Sequence, residues 1–187
     1  MIKLGKVLHH DDLIQIKHLN QENLKNNLSQ RDRLKYGFLT LEYDIELLLK
    51  VNNIEKAIVA KNGNKIVAYA IVINKTAYGF NKLFDDLIDR VNSLKYNKTN
   101  LHKIDYALVG QLCISKDYRG KGLVKEIYKF FKKEYSKKYK YLVTDIDERN
   151  TRSLNAHLKN KFQIIDNFYW GDSYWNIILW NWSNKKD

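Results

Sequence analysis

The stretch Leu112-Cys113-Ile114-Ser115-Lys116-Asp117-Tyr118-Arg119-Gly120-Lys121-Gly122-Leu123-Val124 runs an apolar strand into a basic glycine turn and then into a helix. Residues 106–115 supply the strand, and Leu123, Ile127, Phe130 and Phe131 mark a helix that begins at Gly122. N–H groups at a helix start have no intrahelical partner and carry partial positive charge. The glycines let that backbone approach an anion with no side chain intervening, and Arg119 and Lys121 add charge. The turn therefore reads as a pyrophosphate cradle or as a plain strand-to-helix turn. It matches neither G-x-x-x-x-G-K-[ST] nor G-x-G-x-x-G, which excludes two common nucleotide signatures.

Downstream, residues 141–146 read as a strand and residues 150–161 as a helix with Leu154 and Leu158 inward. Residues 162–165 and 175–182 read as two closing strands. Upstream, residues 2–8 form a first strand, and Asp11 or Asp12 caps a helix carrying Leu13, Ile16 and Leu19. Ser29 and Asp44 open two further helices, with Gly37-Phe38-Leu39-Thr40 extended between them. Asn62-Gly63 between two apolar runs predicts a hairpin, because both residues accept positive φ. Phe80, Leu83, Phe84, Leu87, Ile88 and Val91 predict an amphipathic helix of about three turns, its stripe belonging to the core. Hairpins together with a strand–helix–strand–helix unit make the chain α/β, with a mixed, mostly antiparallel sheet flanked by helices. No linker or repeat divides residues 1–187, so one domain is expected.

Composition narrows the classes. No apolar run approaches the roughly 20 residues of a membrane span, and Met1 to Lys6 lacks a signal-peptide apolar region, so a cytoplasmic protein is expected. One cysteine, Cys113, excludes an internal disulfide and a cysteine-built zinc site, and no Asp/His spacing around His9-His10 suggests a metal. The net charge of +12 is either a solvated basic surface or a field with an anionic partner. Doublets such as Lys132-Lys133, Lys137-Lys138 and Lys185-Lys186 are scattered, and no RNP-like aromatic motif accompanies them, so a nucleic-acid-binding module is the weaker reading.

Two motifs at a fixed separation carry a resemblance. Arg119-x-x-Gly122-x-Val124 is similar to the Arg/Gln-x-x-Gly-x-Gly/Ala signature of the GNAT superfamily of acyltransferases. One helix and one strand later, Asn150, Ser153, His157, Lys161 and Phe162 resemble that superfamily's Asn-x-x-Ser-x-x-x-Tyr-x-x-x-Gly-Phe pattern. Val124 stands where the signature has a small residue, His157 where it has tyrosine, and Lys161 where it has glycine. The resemblance covers about residues 106–182. Val109-Gly110-Gln111-Leu112-Cys113, the run 152–157 and the Trp-rich end are similar to one bacterial branch of the superfamily.

The resemblance implies a splayed parallel strand pair, acetyl-CoA as cosubstrate without a metal, and N-acetyl transfer to a primary amine by direct attack in a ternary complex. It implies cofactor contacts from Leu112, Cys113 and Ile114 on the strand, from Arg119, Gly120, Lys121, Gly122, Leu123 and Val124 around the pyrophosphate, and from Asn150 and Ser153 near the pantetheine. Holding an ammonium of pKa about 10.4 neutral at pH 7 costs roughly 4.6 kcal/mol, which a positioned base relieves in part. Asp145 is the leading base, or else a surface strand carboxylate or an ion-pair partner; Gln111 orients water or substrate. His157 is the proton donor to the leaving thiolate, or else a histidine packed against the cofactor. Cys113 in an apolar strand reads as inert core rather than as a nucleophile. One of the tryptophans, with Tyr169 or Tyr174, is a candidate for the acceptor pocket. A catalytically silent acyl-CoA sensor on the same fold is the alternative, and a homodimer is compatible with either.

Overall fold

A computed structural model describes residues 1–183, so the Lys185-Lys186 doublet and the end of the expected 1–187 domain lie outside the described residues. In chain order the elements are β1 (Ile2–Lys6), α1 (His10–Gln21), α2 (Gln30–Tyr36), α3 (Ile45–Ile54), β2 (Ile58–Asn62), β3 (Lys65–Ile73) and α4 (Lys82–Ser93). There follow β4 (Lys95–Tyr96), β5 (Thr99–Asn100), β6 (Tyr106–Ile114), α5 (Leu123–Tyr135), β7 (Tyr141–Asp147), α6 (Thr151–Leu158), β8 (Gln163–Trp170) and β9 (Ser173–Asn181). Seven strands form one sheet in the order β1-β2-β3-β6-β7-β9-β8, in which only β6 and β7 run parallel.

Strand alternation sends side chains to two cores. Tyr141 and Val143 of β7 belong to the same buried cluster as Leu13, Ile16, Leu48, Phe84 and Val91 from α1, α3 and α4. Leu142 and Ile146 face the other way, toward Ile127, Tyr128 and Phe131 of α5. The sheet is thus a middle layer whose two faces are separately sealed, and what happens at the β6–β7 seam is open to both.

Local chemistry explains most boundaries and several departures from expectation. Ser29 accepts from Asp32 N at 3.1 Å and Asp44 from Leu47 N at 2.7 Å, each capping its helix. At α1 the N-cap is His9, not Asp11 or Asp12; Asp12 sits one turn inside, where it accepts from Leu8 N at 3.0 Å and pairs with Lys61 at 2.5 Å. The first hairpin pairs Asn62 with Lys65, so its turn is Gly63-Asn64, with Gly63 at φ +60°. Helix α6 ends at Leu158, which is 38% exposed; the inward residue is His157, at 5%. Lys161 then takes a left-handed φ of +71°, a conformation that favours glycine. The last two strands are longer than expected, because Gly171 at φ +64° closes a tight turn that lets pairing run from Trp170↔Ser173 to Gln163↔Leu179.

The seam between β6 and β7 is the feature that positions the site. The two strands pair only at Tyr106↔Tyr141, Ala107↔Leu142 and Leu108↔Val143, although β6 continues to Ile114 and β7 to Asp147. On its other edge β6 skips a residue: Ile71 opposes Gln111 and Val72 opposes Val109, so Gly110 is the extra residue of a bulge. A bulge bends its strand and ends regular pairing nearby. Thr144 Oγ1 donates to Val109 O at 2.9 Å across the opening gap, and beyond it the strands part.

Gly110 is required by space. A Cβ there would lie 2.9 Å from Tyr43 Oη and 3.3 Å from Ile71 Cγ2. Gly110→Ala is expected to cost about 1–3 kcal/mol through overpacking. In a Tyr43→Phe background, which removes the nearest atom, the cost should shrink by at least half. Urea unfolding of the four proteins of this cycle checks the coupling; equal costs in both backgrounds would mean that Tyr43 does not press on the bulge.

Candidate active site

The groove after β6 is built by backbone. Gly122 is the N-cap of α5 in the left-handed region, φ +78°, and Gly120 is at φ +74°. A glycine cap has no side chain to accept from the first turn. Among the described residues, the N–H groups of residues 120–124 meet no protein acceptor. They open onto a cavity of about 550 Å³ between this turn and α6. Arg119, Lys125, Arg152 and Lys159 line it, with no carboxylate among its lining residues. Unpaired donors at a helix start together with four cationic side chains suit a polyphosphate.

The side chains of the turn do different work from that implied by their charges. Arg119 is folded inward: Nε donates to Ile114 O at 2.9 Å, one terminal nitrogen donates to Asn23 Oδ1, and the guanidinium lies 5.0 Å from the Tyr36 ring centre. It staples the turn to β6 and to the end of α1. Lys121 lies over Tyr118 at 5.3 Å and does not line the cavity, whereas Lys125, not singled out in the sequence, does. Val124 packs against the α5 core and also borders the groove.

A second cavity, of about 130 Å³, lies on the opposite face of the seam, under α4 and the β8–β9 hairpin. The two cavities share Phe38, Leu39, Leu112, Asn150, Ser153 and His157, which defines where they meet. The segment 37–43 forms a ridge over that junction, and polar side chains hold it there. Asn150 accepts from Ser153 N at 3.3 Å as the α6 cap and donates Nδ2 to Phe38 O at 2.9 Å. Gly37, at φ +77°, is approached so closely by Asn150 that a Cβ would lie 2.7 Å from its Oδ1. Gln111 Nε2 donates to Leu41 O at 3.0 Å, while its Oε1 accepts from Asn20 at 2.8 Å and Tyr69 at 2.5 Å. Asn150 and Gln111 are therefore ridge anchors, with their amides committed to protein partners. Neither Gly37 nor Asn20 stood out in the sequence, since a lone glycine and a lone asparagine carry no spacing signal.

Charge divides along the ridge. The smaller cavity is lined by Asp86, Asp145 and Asp147 and by no lysine or arginine. Asp147 is paired with Arg149 at 2.7 Å, and Asp86 accepts from Lys82 at 2.8 Å and from Trp170 Nε1 at 3.0 Å. Among the described residues the Asp145 carboxylate meets only its own backbone N–H, and burial pushes it up to about 6. Behind it, Tyr43 Oη is buried without a hydrogen-bond partner among the described residues; burial raises its phenol, and the Asp145 charge adds to the shift.

His157 sits at the junction with Nδ1 2.7 Å from Ser153 O, so that nitrogen carries the hydrogen. Its ring packs against Tyr128 and Phe162 at 5.5 and 5.3 Å, and burial lowers it to about 4, leaving it neutral at pH 7. Cys113 is buried, its thiol pushed up to about 12 by burial, which removes it as a nucleophile near neutrality. Leu112, Cys113 and Ile114 border the larger cavity, and Ile114 O is already taken by Arg119. Trp170 and Trp175 line the smaller cavity, whereas Tyr169 and Tyr174 are 62% and 52% exposed and turn away from it. Among the described residues, no three His, Cys, Asp or Glu side chains cluster as metal ligands, and no helix is long and apolar enough to cross a membrane.

Comparison with known proteins places this geometry. The model of the acetyltransferase (GNAT) family matches residues 22–162. No curated protein matches the chain by sequence. Among solved structures, a GNAT-family acetyltransferase from Streptococcus agalactiae is similar at 16% identity and TM-score 0.66, covering 96% of this chain and 95% of its own. The ribosomal-protein-S18-alanine N-acetyltransferase of Escherichia coli is similar at 12% identity and TM-score 0.63, with 97% and 94% covered. The yncA protein of Salmonella typhimurium, solved with its cofactor acetyl-CoA, is similar at 9% identity and TM-score 0.64, with 100% and 96% covered. At such identities the likeness is one of fold.

The Asp145 environment has a measurable consequence for stability. Its folded value of about 6 lies above the ordinary 3.8, so between those pH values the folded state binds more protons than the unfolded state. Stability then falls as pH rises through this window. Asp145→Asn is expected to stabilise the protein by about 1–3 kcal/mol at pH 7–8 and to be neutral near pH 3.5, read from urea midpoints. No gain at pH 7 would mean that the carboxylate has compensating partners.

Proposed function

Because the chain belongs to the acetyltransferase (GNAT) family, we propose that it transfers an acetyl group from acetyl-CoA to a primary amine by direct attack in a ternary complex. The observation that carries this reading is the division of charge on either side of the shared junction. Unpaired N–H groups and cations line one cavity, and carboxylates line the other. A polyphosphate suits the first and an ammonium the second, and the two cavities meet at the residues they share, among them Leu112, Asn150, Ser153 and His157.

Acetyl-CoA, when bound, supplies an activated thioester. The free N–H groups of residues 120–124, aided by Lys125 and Arg152, would hold its pyrophosphate, with Arg119 keeping the turn in shape. The unpaired stretch of β6 beyond Leu108 offers backbone groups to an extended arm in the manner of an added strand, and Leu112 lines that path. A backbone N–H near Cys113 or Ile114 is the candidate donor to charge developing on the acetyl oxygen.

Asp145 is the proposed base. A carboxylate held near 6 is largely ionised at pH 7 yet a stronger proton acceptor than an ordinary aspartate, and it is the lining carboxylate left without a side-chain partner among the described residues. His157 borders the junction, but burial holds it neutral and Nδ1 is committed to Ser153. We therefore assign it an orienting role at the sulfur end of the site in place of the proton-donor role its sequence position implies.

The test is thiol release from acetyl-CoA with a panel of primary amines, alongside calorimetry of acetyl-CoA binding. Asp145→Asn should lower kcat about 10²- to 10³-fold while leaving acetyl-CoA affinity within a few-fold, and the wild-type rate should fall below pH 6 as Asp145 protonates. His157→Phe should change kcat less than tenfold and leave the pH profile in place. Undiminished turnover by Asp145→Asn would remove Asp145 as the base, and absent acetyl-CoA binding would sink the transferase reading.

A further inference from the structure

The smaller cavity carries more information about its occupant than "an amine". We infer that the acceptor is a monoamine borne on an apolar body about the size of one aromatic ring, in preference to a polyamine or a polypeptide lysine. This rests on the transferase reading above and narrows it.

Three observations point the same way. Much of the wall is apolar: Phe84 and Leu87 of α4, Phe168, Trp170 and Trp175 of the hairpin, and Leu41 of the ridge face the space. The volume of about 130 Å³ is close to the roughly 150 Å³ apolar cavity that takes a single benzene molecule. The charge count is also limited. Asp86 and Asp147 are each matched by protein donors, which leaves Asp145 as the partner for one ammonium. A second ammonium on the same acceptor would sit against aromatic and aliphatic walls with no carboxylate of its own, at a desolvation cost.

The hairpin wall of the cavity is also held in place from outside. Trp170 Nε1 donates to Asp86 Oδ2 at 3.0 Å, and Arg90 pairs with Asp166 at 2.5 Å while its guanidinium lies 5.7 Å from the Phe168 ring centre. These contacts fasten the hairpin to α4 and join the two walls. Trp170 and Trp175 meet edge to face at 6.1 Å, which fixes the aromatic surface itself.

The experiment measures kcat/KM at saturating acetyl-CoA for 2-phenylethylamine, 3-methylbutylamine, ethylamine, ethanolamine, spermidine and a lysine-containing peptide. The expected result is a 10- to 100-fold advantage of 2-phenylethylamine over ethylamine, the ratio that burial of one ring gives, with spermidine and the peptide below ethylamine. Leu83→Trp, which fills the cavity from its half-exposed rim, should bring the phenylethylamine-to-ethylamine ratio toward one. The ratio is read from one preparation, so a general loss of activity does not affect it. Spermidine or the peptide outperforming 2-phenylethylamine would overturn the inference and leave the transferase reading intact. No calorimetric binding of acetyl-CoA would overturn that reading itself. If acetyl-CoA binds and no amine turns over, tryptophan fluorescence with acetyl-CoA present decides. Saturable quenching by 2-phenylethylamine but not by spermidine upholds the acceptor class, and its absence overturns it.

Discussion

The early end of pairing between β6 and β7 governs everything built around it. A parallel pair inside a sheet normally continues its ladder, because buried backbone N–H and C=O groups left unpaired cost free energy. Here the ladder stops after Leu108↔Val143, and β6 is already bent by the bulge at Gly110. Tyr43 lies so close over Gly110 that a side chain has no room there. Thr144 takes the Val109 carbonyl, and the remaining edge of β6 is left to a ligand or water. The gap connects the two faces of the sheet, and so two cavities on opposite faces share one junction.

A junction of this kind works only if its two mouths select different molecules. The ridge at residues 37–43 makes that division, and its anchors come from elements distant in sequence: Asn20 on α1, Gln111 on β6 and Asn150 at the start of α6. These are neutral amides, which can donate and accept at once and add no charge between the cationic groove and the acidic cleft. The net charge of +12 in the sequence says nothing of this arrangement, since the functional quantity is the sign of each mouth. Asp145 lies on the acidic side, in the lining of the smaller cavity. Its raised pKa destabilises the folded state, a local conflict of the kind expected at a working site.

Much of the scaffold was legible because its signals are local. Ser29 and Asp44 as caps, the hydrophobic spacing of α4, the glycine turn and the spacing from Arg119 to Phe162 each rest on a few adjacent residues. The departures have a common cause, which is that tertiary contacts decide among locally equal choices. His157 and Leu158 are neighbours on α6, and the ring of Tyr128 determines that the histidine turns inward. Arg119 looks like a free cation in sequence, and Asn23, 96 residues away, draws its guanidinium inside. The long β8–β9 hairpin hid behind a polar turn, so the aromatic walls supplied by Phe168, Trp170 and Trp175 were only half visible. Gly37 carries no motif and Gly110 stands out only as part of the stretch 109–113, and their necessity comes from side chains that approach across the fold.

On the proposed function, the open edge of β6 and the bare N–H groups of residues 120–124 together receive one extended anionic ligand, acetyl-CoA. Amide hydrogen exchange measured with and without saturating acetyl-CoA tests it most directly, because unbonded N–H groups exchange fast and become protected once an acceptor is supplied. The expected result is slowed exchange confined to two segments, residues 109–114 and 119–124, with the outer strands β1 and β8 unchanged. Saturation by acetyl-CoA with no added protection in either segment would mean that the cofactor binds elsewhere on the protein.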